Sequence, residues 1–309
     1  MADAQFQIDF MGWRKVTAVF SITLVLISIV VLSVRWLNLG LDFTGGTLVE
    51  VVFEQPQDPE RVRGWLVDAG FRNGVVQNFG TPTDLLVRMP PQADQDDTRL
   101  GDNVLEVLRV ASGGEVELRR SEFVGPAVGE ELREDGGMAM LLALGLVMIY
   151  IMFRFTSKFS IGAVVALVHD VIITFGFFAV FQWTFDQSVL AAVLAVIGYS
   201  LNDTIVVSDR IRENFRLMRR GQPVDVVNTS LNQTLGRTLV TSSTTLMVLV
   251  ALLVFGGELI RGFAIALIIG VVVGTYSSIY VAASMLLAMG ISREDLLIPV
   301  KEGTEDNVP

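Results

Sequence analysis

Six apolar stretches, most of them near the roughly 20 residues that a helix needs to cross a hydrocarbon core, set the limits on what this chain can become. They run Val16–Val34, Met138–Phe153, Phe159–Phe181, Val189–Val207, Leu239–Phe255 and Gly262–Met289. Backbone amides in lipid must bond within their own segment, so stretches of this kind are read as transmembrane helices. Hydrophobic residues make up 51% of the 309 positions, which a water-soluble domain rarely tolerates. The predicted fold class is a polytopic α-helical membrane protein with six transmembrane helices. Trp13 and Trp36 flank the first stretch as interfacial anchors, and no small-residue cleavage site follows it, so it is expected to stay as an anchor. There is no cysteine, which excludes disulfides and thiolate chemistry. His169 is the single histidine, so a histidine-cluster metal site is excluded. None of Lys15, Lys158 and Lys301 follows a glycine, so the Gly-Lys-Ser/Thr step of a phosphate loop is absent.

Short basic loops fix the expected orientation. Arg14 and Lys15 precede the first span, Arg154 and Lys158 lie between the second and third, and Arg210, Arg212, Arg216, Arg219 and Arg220 follow the fourth. Gln182–Gln187 on the other side carries no basic residue. Both termini are expected on the cytoplasmic side of the cell membrane, and residues 36–136 outside it. The expected division is 1–35 for the N-terminus and first helix, 36–136 for an extracytoplasmic domain, 137–290 for helices two to six with a basic cytoplasmic loop at 208–236, and 291–309 for a cytoplasmic tail. Within the loop, Ile211, Phe215 and Met218 share one face, which suits either an interfacial docking helix or a solvated connector. Residues 36–136 hold 19 carboxylates against 9 arginines, and so account for the whole net charge of −10. That acidity argues against a nucleic-acid partner and suits a solubilising outer surface.

The external segment has readable periodicity. Val49, Val51 and Phe53 alternate as a strand; Val62, Trp65, Leu66 and Ala69 fall at helical spacing; Val75–Phe79 and Leu85, Val87 and Met89 mark two more strands, the second ended by Pro90 and Pro91. Leu100, Val104, Val107, Leu108 and Ala111 fit a helix face, and Val116 and Leu118 a last strand. This β-α-β-β-α-β order predicts an α+β ferredoxin-like domain between the first and second membrane helices. It carries no Ser-His pair or phosphate loop, so a binding or lever role is expected and no enzyme activity.

Ionisable side chains inside spans cost about 2.5–3.5 kcal/mol at mid-bilayer on insertion scales and mark functional paths. His169 and Asp170 lie near the centre of the third span. Asp203 lies in the inner half of the fourth, with Ser200 and Thr204 on its side of the helix and Asn202 beside it. Arg237 enters the fifth, followed on its face by Thr241, Thr244 and Thr245. Burial favours the neutral form of a carboxylate and a nearby arginine favours the charged form. An aspartate whose distance to an arginine changes with conformation can therefore take up and release a proton. Structural readings stand beside this one: Asp203 as interhelical glue, Arg237 snorkelling to the headgroups, His169–Asp170 as a static pair. Gly270 and Gly274 form a GxxxG spacing, a helix-packing seam.

These residues also carry a resemblance. Leu41-Asp42-Phe43-Thr44-Gly45-Gly46-Thr47 after the first span, Val168-His169-Asp170, the run from Gly198 to Asn214 (GYSLNDTIVVSDRIREN) and that from Asn232 to Thr238 (NQTLGRT) resemble the SecF family of bacterial protein-export subunits, of the SecD/SecF group within the resistance-nodulation-division superfamily. They stand in the family's order and cover the chain from about Phe10 to Met289. Ser208 departs from the pattern, which often has an aromatic residue there. The resemblance implies a SecD partner with a matching plan, association with the SecYEG channel and YajC, a functional link to the motor SecA, and an unfolded exported polypeptide as client. It implies use of the proton motive force in protein translocation, with protons as coupling ion and no other cofactor, and assigns the proton path to Asp203 and Arg237. Three other readings remain: a passive scaffold, half of a small-molecule or lipid exporter, and an aspartyl protease built on Asp170 and Asp203, whose Gly-x-Gly-Asp signature is missing.

Overall fold

The computed structural model describes residues 7–92, 99–218, 221–292 and 295. All six apolar stretches lie in helices long enough to span a membrane: α1 (Arg14–Arg35), α5 (Pro126–Arg154), α6 (Ser157–Phe181), α7 (Gln187–Leu217), α8 (Pro223–Phe255), and the sixth span, formed by α9 (Glu258–Ser277), a π-helical turn Ser278–Ala282 and α10 (Ala283–Ala288). In their most apolar stretches, α6 and α7 are 56% and 50% buried within the chain, against 11% in α1 and α5 and 17% in α8. The bundle is therefore centred on α6 and α7, and the other three present broad apolar faces outward.

Small residues set the helix spacing. A Cβ on Gly270 of α9 would lie 2.0 Å from a Val196 methyl on α7, and one on Gly274 would lie 2.9 Å from the Ser200 Cβ. The GxxxG pair is thus the α9–α7 seam. Gly176 does the same for α6 against α1, where an added Cβ would fall 2.1 Å from Ser28 Oγ.

Between α1 and α5 lies a four-stranded antiparallel sheet of β2 (Gly46–Phe53), β3 (Val75–Phe79), β4 (Thr81–Met89) and β5 (Val116–Val124), in the spatial order β3-β4-β2-β5. Helices α3 (Pro59–Asp68) and α4 (Leu100–Ser112) complete a β-α-β-β-α-β unit. Most of the expected apolar positions form its core: Val49, Val51, Val62, Leu66, Leu85, Val87, Val104 and Leu108 are all buried, whereas Ala69 and Ala111 are exposed. Asp58 caps α3, its carboxylate accepting from Glu60 N, with Pro59 in the first turn, a pairing that satisfies an otherwise orphaned amide.

Two of the expected divisions differ. Residue 136 falls inside α5, whose first turns carry Glu130, Glu131, Glu134 and Asp135, so the charged run is the start of the helix and not the end of the sheet unit. The stretch 208–236, expected as a loop, is helical over Ser208–Leu217 and again from Pro223. Ser208–Leu217 is thus a continuation of α7 rather than a separate interfacial helix. Ile211 and Phe215 are buried in the core cluster of the bundle and Met218 packs on it, so their shared face continues the α7 packing stripe. Of the tail at 291–309, only 291, 292 and 295 lie among the described residues.

Candidate functional site

Two carboxylates are buried within the bundle, each bonded to one of two consecutive serines. Asp170 on α6 is 1% exposed and Asp203 on α7 is 7% exposed. Asp170 Oδ1 lies 2.9 Å from His169 Nδ1, and its Oδ2 accepts from Ser200 Oγ at 2.5 Å and Ser277 Oγ at 2.8 Å. Asp203 Oδ1 accepts from Thr238 Oγ1 on α8 at 2.7 Å, and its Oδ2 from Ser278 Oγ at 2.6 Å. Burial of a carboxylate is tolerated when its lone pairs are filled, and here hydroxyls and one imidazole fill them.

Ser277 and Ser278 are consecutive, yet each serves a different aspartate. They sit where α9 passes into the π-helical turn, and such local widening recurs at functional sites. Each hydroxyl has a second acceptor in reach: Ser277 Oγ lies 3.1 Å from Gly274 O, and Ser278 Oγ 3.0 Å from Thr275 O. The pair can therefore donate to an ionised carboxylate or turn to its own helix when that carboxylate carries a proton. Neither state leaves a buried donor stranded, the condition that low dielectric makes expensive.

The remaining polar positions are distributed as follows. His169 stacks on Tyr276 with ring centroids 6.2 Å apart, and its Nε2 is buried without a partner. Ser200 serves Asp170 rather than Asp203. Thr204 is buried with Oγ1 unpartnered, and Asn202 faces outward. Arg237 is exposed on the outer face of α8; among the described residues its guanidinium has no hydrogen bond or ion pair within the chain. Its neighbour Thr238 turns inward to Asp203, because successive residues differ by about 100° around a helix. Thr241 stands near Arg237 and donates to the Arg237 carbonyl at 3.1 Å. Thr238, Ser277 and Ser278 were not singled out from the sequence; the paired serines inside an apolar span were the available signal.

A second constellation joins the sheet to the bundle. The segment Leu41–Thr44 forms a single helical turn, α2. Asp42 Oδ2 accepts from Gln187 N at 2.9 Å, placing negative charge at the N-terminus of α7, where the helix dipole favours it. Phe43 is buried against Phe185 in the membrane core, and Thr44 Oγ1 donates to Gly40 O at 3.1 Å. Gly45 and Gly46 have φ of +68° and +120°. A Cβ on Gly45 would fall 2.8 Å from Pro126 Cα at the head of α5, and one on Gly46 2.3 Å from the Met89 carbonyl oxygen. Only glycine accommodates both that backbone and that approach. A two-residue parallel pairing of β1 (Asn38–Leu39) with β6 (Thr184–Phe185) braces the same joint. Arg88 of β4 donates to Leu39 O at 2.7 Å; burial pulls its guanidinium below the usual arginine value.

A six-span bundle with hydroxyl-ringed carboxylates at its centre and a sheet unit inserted after the first span defines a polytopic membrane protein with an intramembrane ionisable core. Residues 104–292 match the family model of the protein export membrane protein SecD/SecF, C-terminal, and residues 30–57 match the SecD/SecF GG motif. This chain belongs to the SecD/SecF family, on its SecF branch. Protein translocase subunit SecF of Vibrio alginolyticus is 51% identical over 99% of this chain and 98% of its own length. The Pseudomonas aeruginosa SecF is 52% identical over 98% of each, and that of Escherichia coli O157:H7 47% identical over 94% and 90%. The crystal structure of SecDF, a translocon-associated membrane protein from Thermus thermophilus, is 39% identical with a TM-score of 0.84 over 94% of this chain. The chain spans 39% of that longer SecDF polypeptide. A SecDF structure in a super-membrane-facing form superimposes with a TM-score of 0.69 over the same share.

Proposed function

We propose that this chain is a translocation accessory subunit that pairs with SecD and uses the proton gradient to promote a late stage of protein export through the Sec channel. The observation that carries this reading is the pair of buried carboxylates, Asp170 and Asp203, each held by two hydroxyls, one of which (Ser277 for Asp170, Ser278 for Asp203) has a backbone carbonyl as alternative acceptor. The turning serine lets each carboxylate change protonation state without stranding that buried donor, as a proton carrier requires. One charge crossing 100 mV is worth about 2.3 kcal/mol, which biases a two-state equilibrium more than tenfold.

In this reading Asp203 takes up and releases the proton, with Asp170 and His169 as the neighbouring station across Ser277 and Ser278. Arg237 acts at the face of α8 that this chain leaves open, where SecD would pack and bring its own charges. The sheet unit is the extracytoplasmic ferredoxin-like domain, with both termini cytoplasmic. The Asp42–Gly46 joint carries motion at the head of α7 to that domain, which grips or releases the unfolded polypeptide. SecYEG and YajC are the expected membrane partners, SecA acts earlier, and neither a further cofactor nor a catalysed reaction is needed. Gradient-stimulated export into inverted vesicles tests the reading. Asp203→Asn is expected to abolish the stimulation and leave ATP-driven export in place; undiminished stimulation would sink the proton role and favour the passive scaffold.

A further inference from the structure

At the basic end of the bundle, a cavity of about 560 Å³ lies between the start of α1, the start of α8 and the last turns of the sixth span. Its volume is within the range of sites for bound small molecules. Its wall is largely apolar, built from Ala18, Ile22, Val224, Val281, Met285 and Leu287. Arg14 and Lys15 stand at its rim where α1 begins, and among the described residues no carboxylate lines it. Among the described residues, neither cationic side chain has a hydrogen bond or ion pair. Ser284 also lines the cavity, and its Oγ is buried without a partner. From Arg14 to Ile22 the wall descends eight residues, about 12 Å of helix, from the charged rim into apolar depth.

Three needs unmet among the described residues therefore meet in one place: two cations at the rim, a buried hydroxyl, and an apolar wall. A free phosphate would answer the first alone, and a purely apolar molecule only the last. We propose that this cavity is a binding site for an anionic diacyl phospholipid of the adjoining leaflet. The phosphate sits against Arg14 and Lys15, an ester carbonyl accepts from Ser284 Oγ, and the upper part of one acyl chain lies along the wall formed by α1 and α10. Basic pockets between spans favour anionic headgroups for this electrostatic reason. The inference does not depend on the proton role of Asp203.

Native mass spectrometry of the full-length protein, titrated with phosphatidylglycerol or phosphatidylethanolamine of identical acyl chains, tests it. Wild type is expected to bind phosphatidylglycerol at least tenfold more tightly. Arg14→Gln with Lys15→Gln is expected to weaken phosphatidylglycerol about 25-fold, roughly fivefold per cation, and phosphatidylethanolamine by a clearly smaller factor, because its ammonium already offsets the phosphate charge. Ser284→Ala is expected to weaken both lipids several-fold, since it removes a donor and no charge. Arg154→Gln removes a cation from the same end of the bundle, outside the cavity, and is expected to change neither lipid. Equal affinity for the two headgroups would overturn the proposal, as would the same loss from Arg154→Gln as from the rim pair.

Discussion

Gly46→Ala and Gly113→Ala together separate backbone strain from close approach in the sheet unit. Both glycines have positive φ, +120° and +66°. An added Cβ on Gly113 meets nothing within 4 Å, whereas one on Gly46 falls 2.3 Å from the Met89 carbonyl oxygen, a backbone atom that has no rotamer to escape into. At Gly113 the cost is conformational alone, about 1 kcal/mol for a single left-handed residue. At Gly46 an essentially glycine-only conformation costs about 1–3 kcal/mol, and forcing the β2–β4 ladder apart adds about 1–3 kcal/mol of overpacking. The sum is about 4 kcal/mol, and since about 1.4 kcal/mol is tenfold, amide protection falls on the order of a thousandfold. Hydrogen exchange at β2 and β4 amides of the full-length protein in detergent measures this. Gly113→Ala is expected to lower protection there about fivefold. If the two variants fall within threefold of each other, the close-approach reasoning is wrong.

Further expectations follow from other contacts. Gly270→Ala should destabilise the α9–α7 seam by about 1–3 kcal/mol, and Val196→Ala, which removes the methyls that its Cβ would strike, should recover most of that in a double-mutant thermal-unfolding cycle. Phe43→Ala removes a buried ring from the joint and should cost about 3–5 kcal/mol, read as increased protease access at the α2–β2 junction with the sheet core still protected. Asp295 is held below the usual carboxylate range first by its hydrogen bond with Lys158 and then by the Ser292 amide. Because the folded value is the lower one, this contact contributes fully above the ordinary carboxylate value and is lost as pH falls through the depressed one. A spin label at Ile291 should therefore become mobile only at acid pH, and Asp295→Asn should make it mobile already at neutral pH.

The sequence made the spans legible because lipid leaves the backbone no other option, and the sheet unit legible because its buried positions keep strict period. It concealed the helix ends. Glu130 to Asp135 and Asp209 to Arg216 look like loop by charge, yet they are helical turns, because polarity reports exposure and not conformation. The joint was visible as a motif but not as structure: α2, β1 and β6 span four, two and two residues, too few for any period to register. At the candidate site, the aspartates announced themselves by their cost in lipid. Their hydroxyl partners did not, because serine and threonine sit cheaply in spans for many reasons. Arg237 illustrates a further limit, since proximity along α8 places Thr238, one residue on, against Asp203.

The most direct test of the account uses proteoliposomes holding this chain, its SecD partner and the Sec channel, with SecA and ATP supplied and a proton gradient imposed or collapsed. The gradient is expected to stimulate export by the wild type, and Asp203→Asn and Arg237→Met are each expected to remove the stimulation while export without a gradient is unchanged. Full gradient stimulation in both variants would contradict it.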